Sequence, residues 1–243
     1  MHNQTGNIYT HLIGFLVFVV AIPWDASHRP HLIQSVGDLL ICLAYYGGVS
    51  TMLALSALYH VFECVSEKVE AQLFSCDILG IAVSISSVSF LNIWYAFRCC
   101  SFLRLSFFAV SGVAGGILAA IAIWQVKNHA RLMAGFYTVT ASCFLLVISQ
   151  YLSRGPLLRL DAWEGDGPLL GAFWSIASIT FGAYFFHSKV PEIWFPDSSR
   201  FDFWGSSHQI WHTFVFLSPI FMYLGVANSD RSCMAPATSV MVT

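Results

Sequence analysis

Residues 105–124 read LSFFAVSGVAGGILAAIAIW, twenty consecutive residues without a charged side chain. A helix rises about 1.5 Å per residue, so a run of this length crosses the ~30 Å hydrocarbon core of a bilayer. Outward from it, comparable apolar stretches cover 8–24, 39–64 and 73–97 on one side and 132–152, 169–186 and 205–226 on the other. Each is long enough to span. The sequence therefore predicts an all-α membrane protein, a single seven-transmembrane helix bundle occupying 1–243.

Composition agrees. The 243 residues are 57% hydrophobic and 10% charged, with a mean hydropathy of +0.68, whereas soluble domains carry about 25% charged residues. A net charge of −2 provides no basic face and excludes nucleic acid as a partner. The first stretch lacks a basic leader, and Pro23-Trp24-Asp25 is a poor cleavage site, so it reads as a span rather than a signal peptide. The connections are too short for a separate soluble domain, and no folded domain is expected before the first span.

Seven cysteines contain no C-x-x-C pair. That predicts neither a cysteine zinc site nor a disulfide framework, and leaves Cys99 and Cys100 as palmitoylation candidates. Gly112, Gly115 and Gly116 predict a close helix contact in the fourth span. Asn92 and Arg98 read as interfacial groups ending the third span, and Pro191 and Pro196 as shaping the loop before the seventh. Basic residues do not orient the chain. Lys68, Lys127, Arg131, Lys189 and Arg200 fall on one side, against Arg29, Arg98, Arg104, Arg154, Arg159 and Arg231 on the other.

Polar residues inside apolar runs carry the functional signal, because lipid penalises them. His208 and His212 lie four apart in SSHQIWHTFVF, on one helical face. His60 ends LALSALYHVF, and Asp77 opens CDILGIAVS. With seven spans, the end of the second and the starts of the third and seventh share one leaflet, whichever way the protein inserts. Three neutral nitrogens and a carboxylate at one depth predict an intramembrane Zn2+ site on His60, His208 and His212. Asp77 is then a further ligand or a general base, and Ser56, one turn before His60, steadies a water or carbonyl. Haem on two of the histidines is the alternative. Asn7, Thr10 and His11 form a polar cluster at the start of the first span, read as packing more readily than as lining the site.

The pieces NQTGNIYTHLIGF, SALYHVFECVSE, CDILGI, SKVPEIWFP and FDFWGSSHQIWH together resemble the progestin and adipoQ receptor family, which includes adiponectin receptors, membrane progestin receptors and haemolysin-like proteins. NIYTH and WGSSHQIWH are most similar to its third and fourth vertebrate members. The resemblance implies a cytosolic N terminus and zinc in the inner leaflet on His60, His208 and His212, with Asp77 and Ser56 beside it. It also implies residence in the Golgi or plasma membrane. The sequence departs from the family pattern at Gln4, where an acidic residue is usual, and at Ile193, where an arginine commonly follows the glutamate. The family's cytosolic N-terminal segment is expected to be largely absent.

The resemblance implies lipid signalling through ceramide hydrolysis by a zinc-dependent ceramidase-type amide hydrolase, or through ceramide regulation. Its partners would be membrane lipid (ceramide, another sphingolipid or a steroid) and signalling proteins. The alternative is a non-catalytic receptor or Golgi scaffold in which zinc is structural.

Overall fold

In a computed structural model of the protein, residues 4–28, 32–124, 127–153, 167–195, 201 and 203–227 are described. They form seven α-helices: α1 Thr5–His28, α2 Val36–Phe62, α3 Glu67–Ala96, α4 Ser101–Trp124, α5 His129–Ser153, α6 Gly167–Ser188 and α7 Ser207–Ala227. The 3₁₀ turn Glu192–Trp194 lies between α6 and α7. Helices α2 to α7 are long and apolar enough to cross a membrane, and α1 contributes the apolar stretch Thr5–Ala21. The chain is an integral, multi-pass membrane protein. Each helix overlaps one predicted span, most of them starting a few residues earlier, while α2 and α3 end before and α7 begins after the predicted limits.

Local chemistry sets the helix starts. Ser35 and Asp38 form a reciprocal capping box at α2, and the Ser66 hydroxyl accepts the Val69 N–H at the start of α3. Gly205, at φ +79, makes the left-handed turn that leads into α7. The Gln209 amide stitches that turn, accepting from Gly205 N–H at 2.7 Å and donating to the Phe203 carbonyl at 2.8 Å.

Small residues then bring the helices together, as expected where lipid supplies no hydrophobic drive between them. A Cβ on Gly171 would meet the Met222 carbonyl of α7 at 3.0 Å, and one on Gly80 would meet Met52 Cα at 3.0 Å. Between α6 and α7 the Ser175 and Ser218 hydroxyls pair at 2.8 Å, and Ser178 donates to the Phe214 carbonyl at 2.9 Å. The largest apolar core joins α1, α2, α3, α6 and α7 around Tyr45, Val49, Leu53, Leu91 and Met222.

Several expectations change. Gly115 packs against Ser86 of α3, whereas Gly116 meets nothing and faces outward. Asn92 is no interfacial group, because it is fully buried in α3. Arg98 does sit at the end of α3, where it pairs with Asp38 at 3.1 Å. Cys99 is disulfide-bonded and so is no palmitoylation candidate, whereas Cys100 is free; spacing along the chain does not report proximity in space. Pro191 precedes the 3₁₀ turn. Pro196, Arg29, Arg154, Arg159, Arg200 and Arg231 lie outside the described residues.

Candidate metal centre

Helix α2 carries Ser56 and His60 one turn apart on its buried side, α3 carries Asp77, and α7 carries His208 and His212. Relative exposures are 2% for Ser56, 2% for His60, 3% for His212 and 8% for Asp77. His208 is half-buried. Imidazoles so deep in an apolar bundle need a partner for their nitrogens.

They find one another. His60, His208 and His212 each offer a ring nitrogen, and the three lie within 4.8 Å of one another. His60 Nε2 and His212 Nε2 are 3.2 Å apart. A tetrahedral zinc with 2.0–2.1 Å bonds separates neighbouring nitrogens by about 3.3 Å. The donor set therefore suits a zinc ion in kind and number, and the His60–His212 pair already has that spacing.

Asp77 stands outside this group. The Ser56 hydroxyl donates to its carboxylate, and Oδ1 has no partner. Asp77 is thus a buried carboxylate attached to α2 through Ser56, one helical turn from His60.

Two kinds of residue lie at the site that the sequence did not assign to it: His11, read more readily as packing, and two glutamates. His11 of α1 stacks on His212, with ring centroids 4.0 Å apart and planes tilted by 34°. Its exposure is 2%, and neither ring nitrogen has a hydrogen-bond partner. The polar cluster of α1 therefore lines the site through His11. Asn7 bonds to Gln4, and Thr10 donates to the Gly6 carbonyl at 2.6 Å. The signal was present, since His11 sits at the same membrane depth by the parity that grouped the others.

Two glutamates complete the surroundings. Glu63 Oε2 lies 3.4 Å from His60 Nδ1. Glu192, on the 3₁₀ turn, accepts from Ser207 N–H at 2.8 Å and from its hydroxyl at 2.9 Å, anchoring the first turn of α7 next to His208. The i,i+3 spacing of His60 and Glu63 is visible in the sequence. The Glu192 contact bridges fifteen residues and a turn, which spacing alone cannot anticipate.

Comparison with known proteins gives a match to the family described as Haemolysin-III related over residues 1–223. The adiponectin receptor protein of Drosophila melanogaster is 27% identical over 94% of this chain and 51% of its own length. Progestin and adipoQ receptor family member 4 is 30% identical in Homo sapiens, over 93% of this chain and 78% of that protein. The same member in Mus musculus is 31% identical, with 93% and 78% covered. The chain spans about half the length of the first of these relatives.

Proposed function

The chain belongs to the Haemolysin-III-related family that includes the progestin and adipoQ receptors, and from that premise we propose that it is a zinc-dependent hydrolase acting on the amide of ceramide-type lipids. One observation carries the reading: three imidazoles converge, and Asp77, a buried carboxylate with an unpartnered oxygen, is held by Ser56 one helical turn from His60.

His60, His208 and His212 would hold the metal. Zinc, when bound, supplies a Lewis acid that makes water easier to deprotonate and draws electron density from an amide carbonyl. Asp77 would collect the proton at Oδ1 and pass it to the leaving amine nitrogen. Ser56 holds the Asp77 carboxylate, and once Asp77 is protonated its one hydroxyl hydrogen would be free to turn to charge developing on the carbonyl oxygen. The surrounding bundle is apolar and excludes bulk water, and an acyl chain would reach it laterally from the lipid.

Metal analysis of the purified chain beside His60→Ala and His212→Ala tests the foundation. About one zinc per chain is expected in the wild type and loss of it in both variants; zinc retained by both would refute the site.

A second reading has its own support. Helices α2 and α7 pack chiefly on α1, α3 and α6 rather than on each other, so a metal shared by His60 and His212 would be a principal link between them. Zinc would then be structural, in a receptor answering a lipid or steroid ligand or in a scaffold for signalling proteins. Residence in the Golgi or plasma membrane, with the histidine side toward the cytosol, goes with either reading. The Cys99 disulfide supports that orientation, because it lies at the membrane face opposite the histidines and disulfides persist in oxidising compartments.

A further inference from the structure

An imidazole that gives Nε2 to a metal carries its proton on Nδ1, and in a dry site that proton needs an acceptor. His60 Nδ1 is buried and makes no hydrogen bond. Glu63 Oε2 stands 3.4 Å from it. Among the described residues, His60 is the one of the three grouped histidines with a carboxylate inside ion-pair reach. His212 is backed instead by the ring of His11.

The position of Glu63 is informative in itself. It is the residue that ends α2, with φ −56 and ψ −28, and its N–H donates to the Tyr59 carbonyl. A carboxylate there faces the negative end of the helix dipole, which disfavours it. The contact with His60 offsets that disadvantage, and three residues of helix place the two side chains on the same face. The Glu63 side chain is 20% exposed, so it bridges the buried ring and the aqueous edge.

We propose that Glu63 is the positioning carboxylate of His60, accepting a hydrogen bond from its Nδ1–H and thereby presenting Nε2 to the metal. The inference rests on the zinc reading above. It makes Glu63 a determinant of metal affinity without giving it any contact with metal or substrate.

The test is zinc affinity of the purified full chain by chelator competition, for wild type, Glu63→Ala and Glu63→Gln. The absorption spectrum of the cobalt-substituted protein and the melting temperature of the metal-free protein accompany it. Loss of such outer partners typically weakens metal binding about 10- to 100-fold. Glu63→Ala should fall in that range with altered cobalt bands, and Glu63→Gln, which keeps an acceptor but loses the charge, should fall by about 10-fold. Unchanged affinity and spectrum in both variants would overturn the proposal, as would a lowered metal-free melting temperature with affinity intact. Should Glu63→Ala fail to fold, unchanged affinity in Glu63→Gln is decisive against it. Wild type binding zinc with indifferent Glu63 variants sinks this inference alone; wild type binding none sinks the zinc reading itself.

Discussion

Two polar clusters sit at opposite membrane faces of the same helix pair, and they differ in how completely they are satisfied. At the start of α2, Asp38 accepts from Gln34 N–H at 3.2 Å, Ser35 N–H at 3.0 Å and the Ser35 hydroxyl at 2.9 Å. Its other oxygen accepts from Trp94 Nε1 at 2.8 Å and Arg98 Nη2 at 3.1 Å. No lone pair is wasted. At the far end of α2, His60 Nδ1, His212 Nδ1, Asp77 Oδ1 and both nitrogens of His11 are buried without hydrogen-bond partners. Burial costs are met internally in the first cluster and left outstanding in the second. The first is therefore a clasp between α2 and α3, and the second is the cluster where we propose that metal and substrate bind.

Substitutions should respect that division. The largest effect belongs to Asp77→Asn. It should leave zinc stoichiometry intact and cut ceramide hydrolysis by about 10²-fold or more, the usual contribution of a general base. Equal turnover by the wild type and the variant in a purified assay would remove Asp77 from the chemistry. If zinc and ligand signalling persisted while hydrolysis vanished, the receptor and enzyme functions would be separable.

On the satisfied side, Asp38→Ala should change stability and nothing else. It strands the Trp94 and Arg98 donors and removes the capping box, at a cost of about 2–4 kcal/mol. Thermal unfolding in detergent would show this, with zinc content unaltered; a loss of metal would mean that the two clusters are coupled. The smallest effect is that of Arg98→Ala. Its side chain is 25% exposed, so solvent screens the pair and the loss should be about 1 kcal/mol or less. A drop as large as that of Asp38→Ala would show the ion pair, rather than the hydrogen bonds, to be the clasp.

Much of this was legible in advance, for definite reasons. Apolar runs such as 105–124 announce spans because transfer into lipid is a property of each residue, additive along the chain. His208 and His212 announce a shared face because helical periodicity is local. Their grouping with His60 followed from counting crossings. Asn92 was misread because proximity to a helix end does not reveal which way a side chain points. The Cys99 pairing was missed because the cysteine spacings carry no trace of it.

What sequence alone determined, then, is how many helices there are, where they lie and which polar groups share a leaflet. Tertiary structure decided the rotation of each helix about its axis. Helix α3 shows no preferred apolar side, so nothing local says that Asp77 turns toward Ser56 or that Asn92 turns inward. That rotation is set where Gly80 meets Met52 and Gly115 meets Ser86, in contacts between helices. The same holds for His11 on His212 and for Glu192 at the start of α7. Membrane insertion is an energy each segment carries by itself, whereas a site is a coincidence of several segments, and only their packing can produce it.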